Sequence, residues 1–334
     1  MKAMILAAGF GTRLFPLTID RTKPAIPFLG KPLVGYVAEY LAKYGFKEVV
    51  VNLHHQPNSV MRALGDGSDF GVKIHYTHEE PEILGTAGAL DNARHLLEDE
   101  TFLIANGKII TDIDINAALE THRSSGALAT MVLKENTNFE KFTEVKVSDG
   151  LVAGFEPGFP DSHGNKDGRS NIPMMFTGIH ILEPRVFDYI PRGVYSDIVP
   201  TFYNPAIKKG EKIAAHIAKG KWFELSTIPR YLDISLNMLD GGPERNVIGL
   251  NSDIGESAVI KRSVIWDNVR IENGAALSHA IVCDDVVIKE GESYENVAIV
   301  TGAMLGHCEK IPEKALSGEM VGDNYVVPLD QELV

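Results

Sequence analysis

The chain has 334 residues, a formal net charge of −13 and 44% hydrophobic residues, which is an ordinary globular composition with room for two domains. The acidic balance argues against a general nucleic-acid binder and a membrane-surface protein, and no apolar run is long enough to span a bilayer. Only Cys283 and Cys308 are present, so no disulfide framework is indicated, and the first residues lack the pattern of a signal peptide. We therefore expect a cytoplasmic protein whose partners include neither nucleic acid nor membrane.

An apolar run at residues 3–8 ends in a loop of small and basic residues: Gly9, Gly11, Thr12 and Arg13, followed by Arg21 and Lys23. Glycines let the backbone approach a ligand closely and turn N–H groups toward an anion, while the basic side chains add charge. Leu14 replaces the third glycine of a dinucleotide-binding fingerprint, and the Gly-Lys-Ser/Thr of a Walker A loop is missing. The pattern predicts a phosphate site of another type, and a glycine-rich turn without a ligand is the alternative.

Short apolar runs alternate with amphipathic segments over the first two thirds of the chain. The apolar runs predict strands at residues 3–8, 48–53, 72–77, 101–105 and 127–133. The amphipathic segments predict helices at residues 33–44, 59–64, 87–97 and 115–122. This alternation predicts an α/β fold with a Rossmann-like, mostly parallel sheet, whose ligands bind beyond the carboxyl ends of the strands.

Further along the chain, the composition predicts a surface loop at residues 158–171, a strand at 174–182 and a helix at 195–208. A strand pair at 214–218 and 222–225 and a closing helix at 228–239 follow. Beyond residue 241, apolar residues recur every six positions: Val259, Ile265, Ile271, Leu277 and Cys283. This period predicts a short β-helix, with a plain β-rich tail as the alternative. We expect one domain at residues 1–240 and a hexapeptide-repeat tail at 241–334.

A second small-residue segment runs from Gly85 through Thr86 to Leu90, after an acidic stretch that contains Glu80. Thr86 is a candidate helix N-cap, and small residues would let a flat ring pack against the backbone. The carboxylate of Glu80 could accept hydrogen bonds from a nucleobase, which favours guanine slightly over uracil. The alternative is a helix start that needs small residues only for tight packing.

Together these motifs resemble the sugar-1-phosphate nucleotidyltransferases, also called nucleotide-sugar pyrophosphorylases. Leu6-Ala-Ala-Gly-Phe-Gly-Thr-Arg-Leu-Phe-Pro-Leu-Thr and Lys23-Pro24 are similar to that family's fingerprint, and the segment from Gly85 to Leu90 is similar to its base-binding segment. The similarity continues through Asn106-Gly107, Phe176-Thr-Gly-Ile179 and Trp222. It extends into a short left-handed β-helix tail and is greatest to mannose-1-phosphate guanylyltransferase-like and related uridylyltransferase-like members.

The resemblance implies that a sugar 1-phosphate attacks the α-phosphorus of a nucleoside triphosphate, GTP or UTP, and that pyrophosphate leaves. By the same resemblance Arg13 holds the β- and γ-phosphates, and Lys23 neutralises charge at the α-phosphate. The implied nucleotide-binding residues are Leu6, Ala8, Gly9, Gly11, Thr12, Arg13, Glu80, Gly85 and Thr86. The implied sugar-binding residues are Asn106 and Gly178.

Two positions depart from the family pattern, in which Mg²⁺ is held by two aspartates. Lys108 follows Asn106-Gly107 where an aspartate is expected, and Glu224 replaces the aspartate after Trp222. A lysine ammonium has no acceptor and cannot ligate a cation, so the Mg²⁺ that the family implies is doubtful. We predict an ion pair between Lys108 and Glu224, or a direct contact of the lysine with the triphosphate.

Asp112 and Asp114 lie just downstream of Lys108, and they offer another place for a metal. Aspartates directly before a helix also act as caps, and capping is the preferred interpretation of both.

The favoured function is therefore nucleotidyl transfer to a sugar 1-phosphate. The family's sugar-phosphate lysine is also missing, since the chain has Phe155-Glu156-Pro157 at that place. The alternative is a catalytically impaired regulatory subunit that binds a nucleotide or nucleotide sugar and pairs with an active homologue. β-Helix tails commonly pack against copies of themselves, so a homo-oligomer is a further expectation.

Overall fold

A computed structural model describes residues 1–157, 172–239, 245–306, 308 and 310–331. The chain forms two compact units. The sheet unit contains Met1–Ala8, Gly35–Pro57 and Leu64–Trp222, and the β-helix unit contains Gly9–Val34, Asn58–Ala63 and Phe223–Val334. The loop predicted at residues 158–171 lies outside the described residues, and the domain boundary after residue 240 stays a prediction. Among the described residues, no helix is both long enough and apolar enough to cross a membrane.

In the sheet unit, nine strands of the described residues form one mixed sheet. They are β1 Ala3–Leu6, β2 Glu48–Leu53, β3 Lys73–His78, β4 Phe102–Asn106, β5 Ala129–Glu135, β6 Glu144–Ser148, β7 Leu151–Glu156, β8 Met174–Leu182 and β9 Ile213–Ile217. Their spatial order is β3-β2-β1-β4-β8-β5-β9-β7-β6. The four neighbouring strands β3, β2, β1 and β4 are parallel to one another, and β9 is parallel to β5. Strand β8 runs antiparallel to its neighbours β4 and β5.

Strand β1 is apolar along its whole length, and β2 and β4 are mostly apolar, because they are covered on both faces. Met4 of β1 and Ile104 of β4 are paired in register, and both are fully buried. Val50 of β2 pairs with Met4 from the other side and belongs to the same core cluster. The predicted α/β fold and its first strands are therefore confirmed.

Helices of the described residues are α1 Leu33–Lys43, α2 Pro57–Leu64, α3 Gly85–Asn92, α4 Arg94–Leu97, α5 Ile115–Ser125, α6 Asn204–Lys208, α7 Ile228–Asn237 and α8 Gly302–Leu305. The helix predicted at 195–208 is wrong in its first turn. Regular structure begins instead with the π-helical turn Val199–Tyr203, because the backbone of Ser196 bonds to Leu84 and Ala87 at the start of α3.

The predicted pairing of strands 214–218 and 222–225 is also wrong. β9 lies between β5 and β7, so both of its edges are already hydrogen-bonded. The segment Trp222–Glu224 does form a strand, as expected. Pairing partners are set by the whole sheet, which a local pattern of hydrophobic residues does not report.

The β-helix unit contains the predicted β-helix. Its short parallel strands are Val247–Ile248, Asp253–Ile254, Val259–Lys261, Val264–Ile265, Arg270–Ile271, Ala276–Val282, Val287–Ile288 and Ser293–Thr301. Val264 pairs with both Val247 and Ile281, so that each turn advances the chain by 17 residues (247, 264, 281). The strands Glu319–Val321 and Asn324–Pro328 then close the sheet with antiparallel pairs.

The predicted six-residue period is wrong at Val259, because each turn of the β-helix has 17 residues. Ile265, Ile271 and Leu277 are buried as expected, but Val259 is 49% exposed. Its neighbour Ile260 pairs with Leu277 instead. A turn of 17 residues has one side that is a residue shorter than the others, so a strict period of six drifts out of phase.

Candidate functional site

The predicted phosphate loop lies in the β-helix unit. Gly11 has a φ of +68°, and a Cβ at this position would lie 3.0 Å from the Cβ of Lys23. Glycine is needed here both for the left-handed backbone and for the close approach to Lys23. The carbonyl of Gly11 accepts a hydrogen bond from the N–H of Leu14 (2.9 Å), which closes the 3₁₀ turn Thr12–Leu14. The side chain of Arg13, on this turn, is exposed.

Lys23 begins a second 3₁₀ turn, Lys23–Ala25, and is only 8% exposed. The residue before it, Thr22, is fixed by Ser59, whose Oγ accepts the Thr22 N–H at 3.1 Å. Gly11 and Lys23 are thus brought together by a rigid double turn, while Gly9 has open space around the position of a Cβ. The charge of Arg21, expected beside them, is directed elsewhere, because its guanidinium pairs with Asp20 and Asp284.

In the sheet unit, the end of β1 is held by a buried polar chain. The N–H of Ala7 donates to Asn52 Oδ1 (2.8 Å), and Asn52 Nδ2 donates to Glu79 Oε1 (2.6 Å). The other carboxylate oxygen of Glu79 accepts the N–H of Leu84 at 2.6 Å, just before α3. Glu79 therefore ties β1, β2 and the start of α3 into one frame.

Glu79 is a structural residue that the sequence pattern did not single out, and the assignment of its neighbour Glu80 to the base stays a prediction. Glu79 is 1% exposed, whereas Glu80 is exposed. The signal was available, since side chains alternate along a strand and Thr77, two residues before Glu79, is buried as well. Of the other residues named in this unit, Leu6 is half-buried, and its carbonyl accepts the Gly107 N–H at 2.9 Å; Ala8 is buried.

The start of α3 packs tightly against the segment that precedes the π-helical turn. Gly85 has a φ of +73°, and a Cβ there would lie 2.7 Å from the carbonyl oxygen of Ser196. Thr86 is not the N-cap, because the helix begins at Gly85 with Leu84 in that place. The Thr86 hydroxyl instead donates to Asp197 Oδ1 (3.2 Å) and accepts the N–H of Ile198 (2.8 Å). The small residues of this segment thus meet a packing demand.

The two predicted sugar-binding residues lie side by side in the sheet unit. Gly178 has a φ of +79°, and a Cβ there would approach Asn106 Cγ to 2.7 Å. Gly178 lies where the register of β8 against β5 shifts, so the backbone bulges at this point. The Thr177 carbonyl accepts the indole N–H of Trp222 at 2.8 Å, which fixes the bulge from the other side.

The two altered metal positions are found in different units. Lys108 is half-buried in the sheet unit, and Glu224 is 7% exposed in the β-helix unit. The predicted ion pair between them stays a prediction. Asp114 caps α5 by accepting the N–H of Asn116 at 2.9 Å, as expected. The capping prediction for Asp112 is wrong, because its carboxylate accepts the backbone N–H of Lys221 instead (2.5 Å).

These residues do not fit a two-aspartate Mg²⁺ site. Lys108 offers three donors and no acceptor, and one carboxylate oxygen each of Asp112 and Asp114 accepts a backbone N–H group. Within the described ranges, no group of three or more His, Cys, Asp or Glu side chains is placed to hold a metal ion. A positive charge is thus supplied by the chain itself at the position where the resemblance implies a metal ligand.

Comparison with known proteins places this architecture in a family. A mannose-1-phosphate guanylyltransferase from Arabidopsis thaliana is 31% identical over 345 residues, which cover 96% of this chain and 92% of the relative. A UTP–glucose-1-phosphate uridylyltransferase from Synechocystis sp. is 31% identical over 287 residues, covering 81% of this chain and 72% of the relative. An N-acetylmuramate alpha-1-phosphate uridylyltransferase from Neisseria meningitidis is 33% identical over 232 residues, 69% of this chain and 95% of the relative.

A crystal structure from Bacillus anthracis, of a protein assigned as a glucose-1-phosphate thymidylyltransferase, is similar in fold. Its TM-score is 0.60 at 22% sequence identity, and the match covers 72% of this chain and 97% of the other. The model of the nucleotidyl transferase family matches residues 2–241, and that of the GlmU-like C-terminal hexapeptide region matches residues 238–295. The chain therefore belongs to the nucleotidyl transferase family and carries a hexapeptide-repeat β-helix behind its transferase region.

Proposed function

We propose that this protein transfers a nucleotidyl group from a nucleoside triphosphate to a sugar 1-phosphate, giving a nucleotide sugar and pyrophosphate. The observation that carries this proposal is the match to the nucleotidyl transferase family over residues 2–241. Relatives named as uridylyl- and guanylyltransferases of sugar phosphates support it, and they favour UTP or GTP as the triphosphate.

The reaction is a single displacement at phosphorus. An oxygen of the sugar phosphate forms a bond to the α-phosphorus while the bond from this phosphorus to the oxygen bridging to the β-phosphate breaks. The bridging oxygen keeps the electron pair and leaves as part of pyrophosphate. Because such a transfer needs little covalent help, the protein accelerates it by positioning the reactants and by neutralising negative charge.

Arg13 and Lys23 are the residues to which we assign this charge neutralisation. Arg13 is exposed and makes no side-chain hydrogen bond or ion pair within the described part of the chain. It is therefore able to hold the β- and γ-phosphates in a bidentate manner. Lys23 is buried beside Gly11, so its ammonium acts from a fixed position at the α-phosphate. Backbone N–H groups of the loop from Leu6 to Thr12 complete the phosphate contacts.

The base is assigned to the segment around Gly85, and the sugar phosphate to Asn106 and Gly178. Gly85 and Thr86 begin a helix whose backbone is held by Ser196 and Asp197, which gives a rigid surface for a nucleobase. The exposed Glu80 is available to accept hydrogen bonds from the base. Asn106 and the bulged backbone at Gly178 lie side by side, and we assign the sugar to them.

Charge at the altered metal position comes from Lys108. A lysine ammonium placed after Gly107 is a fixed cation able to contact the triphosphate. Mg²⁺ would supply the same neutralisation in a family member with two aspartates, but the residues of this chain do not fit that group. No step of the proposed reaction requires it to be held by the protein.

The test is an assay of pyrophosphate release with UTP and GTP, each combined with glucose 1-phosphate and mannose 1-phosphate, with and without added Mg²⁺. One pair should give turnover, and Arg13→Gln should lower kcat/KM on the order of 100-fold because a phosphate charge is left uncompensated. Arg123→Gln is the matched control, since Arg123 is an exposed arginine on α5, and it should retain wild-type kinetics.

Two other outcomes separate the alternatives. Tight triphosphate binding without turnover of any pair would leave the regulatory subunit as the function, with assembly on an active homologue as its consequence. If the chain shows no triphosphate binding and no turnover, both functions are overturned.

A further inference from the structure

The turn that carries Lys23 is attached to the β-helix by Arg21. The Arg21 guanidinium donates from Nε and Nη2 to the two carboxylate oxygens of Asp20, both at 2.8 Å. Nη2 also donates to Asp284 Oδ2 at 2.6 Å, across 263 residues of sequence. The same guanidinium lies over the ring of Trp266, 5.1 Å from its centroid. All four residues belong to the β-helix unit.

Asp284 is itself fixed within a turn of the β-helix. Its Oδ1 accepts the backbone N–H of Asp267 at 3.0 Å. One carboxylate oxygen therefore bonds to the β-helix backbone, and the other bonds to Arg21. Burial disfavours the charge of Arg21, but the hydrogen bonds and charges of Asp20 and Asp284 outweigh it and raise its pKa above the ordinary value. Arg21 is therefore a charged anchor, and its charge is neutralised by Asp20 and Asp284.

A second attachment lies on the other side of Lys23. The indole N–H of Trp266 donates to the Tyr231 hydroxyl at 2.9 Å, and that hydroxyl donates to the carbonyl of Pro27 at 2.6 Å. Trp266 is 3% exposed, and Tyr231 is buried. The 3₁₀ turn Lys23–Ala25 is thus held at both ends, by Arg21 before it and by Pro27 after it, and Trp266 contacts both attachments.

We propose that Asp284 is a positioning residue for nucleotidyl transfer, which fixes Arg21 and through it the turn that places the Lys23 ammonium. This inference rests on the proposed function, because it assigns to the hexapeptide tail a part in holding the triphosphate. A buried cation acts well on a phosphate only if its backbone does not move, and the β-helix supplies that rigidity. Asp284 touches no reactant; its effect on triphosphate binding is transmitted by Arg21.

The first measurement is hydrogen exchange of the backbone amides of Ala25 and Ile26. These amides donate to Thr22 O (2.9 Å) and Lys23 O (3.2 Å), and so they report the turn around Lys23 directly. Asp284→Asn keeps the shape of the side chain but removes the charge, and it should raise both exchange rates about tenfold. Asp285→Asn is the matched control, because the neighbouring Asp285 side chain is exposed, and exchange should be unchanged.

The second measurement is steady-state kinetics of the full chain with the triphosphate and sugar 1-phosphate that the wild type accepts. Asp284→Asn should raise the KM for the triphosphate about tenfold and leave the KM for the sugar 1-phosphate within about twofold. Arg21→Lys keeps the charge but loses the two-pronged guanidinium, so it should have the same effect in a smaller degree. It serves as the second variant if Asp284→Asn does not fold.

Each outcome decides a separate point. Unchanged exchange at Ala25 and Ile26 in both folded variants would overturn the attachment. Faster exchange with an unchanged KM for the triphosphate would overturn the role of Asp284 in the reaction. A wild-type chain that neither binds nor converts any triphosphate would refute the proposed function, and with it this role, while the exchange rates still decide the attachment itself.

Discussion

Gly11 is the residue on which the geometry of the phosphate loop depends most directly. Its φ of +68° disfavours any L side chain, and a Cβ would meet Lys23 Cβ at 3.0 Å and Thr18 Cγ2 at 3.2 Å. Gly11→Ala should therefore lower the free energy of unfolding by about 1–3 kcal/mol. Urea-induced unfolding measures this difference.

Gly9 provides the matched control for stability. It lies two residues away in the same loop, its φ is outside the left-handed region, and nothing lies within 4 Å of a Cβ built there. Gly9→Ala should change the free energy of unfolding by no more than about 0.5 kcal/mol. Equal losses for the two variants would contradict the steric role of Gly11.

Single residues also show where inference from sequence stops. Arg13 and Arg21 are both basic residues of one loop, and only the structure shows that Arg21 pairs with Asp284 while Arg13 is exposed. A partner 263 residues away leaves no local trace. Glu79, in contrast, was within reach, because the alternation along β3 predicts that it is buried and that Glu80 is not.

At the scale of elements, the β-helix register gives a sharp prediction. The six-residue pattern predicts that Val259 and Leu277 are equivalent, but the 17-residue turn exposes Val259 and buries Leu277 completely. Leu277→Ala should cost about 2–5 kcal/mol of unfolding free energy because it opens a cavity in the coil. Val259→Ala should cost at most about 0.5 kcal/mol.

Thermal and urea unfolding of the two variants measure these costs. Comparable losses would mean that the side chains of both positions point into the coil, contrary to the observed register. Both substitutions remove aliphatic carbons from a β-branched or γ-branched side chain, so each serves as the control for the other.

The helices and strands that depend on local hydrophobic pattern agree with the prediction from the sequence. Strands β1, β2 and β4 are largely continuous apolar runs between turns, and such runs leave few alternatives. The first turn of the helix predicted at 195–208 failed because Ser196 bonds to the start of α3, a tertiary contact that competes with helix formation. The pairing of β9 failed for a related reason, since its partners β5 and β7 are chosen by the whole sheet.

At the scale of the whole molecule, the phosphate loop belongs to the β-helix unit, which motif similarity along the chain does not predict. Motif similarity predicted a transferase region followed by a tail, in chain order. In the structure, Gly9–Val34 clusters with Phe223–Val334 rather than with the strands that surround it in sequence. This grouping follows from long-range contacts within the β-helix unit, such as those of Arg21 with Asp284 and of Tyr231 with Pro27.

The core of the sheet unit also makes global stability depend on pH. His180 of β8 is 3% exposed, and its Nδ1 pairs with the buried Tyr203 hydroxyl at 2.5 Å. Burial lowers the pKa of His180 to about 3, so the folded chain holds it neutral while the unfolded chain protonates it near its ordinary value of 6.5. The contribution of neutral His180 to the free energy of unfolding is therefore fully present above pH 6.5, and it is lost progressively as the pH falls toward 3.

This dependence is measured by urea-induced unfolding at pH 7 and pH 5. The wild type should lose about 2 kcal/mol more than His180→Gln over this interval, since each pH unit below 6.5 costs about 1.4 kcal/mol for one depressed histidine. Taking the difference between the two chains cancels the contributions that they share. His95→Gln, an exposed histidine on α4, should instead follow the wild type at both pH values. If His180→Gln also follows the wild type, the buried histidine is not the group through which acid weakens this core.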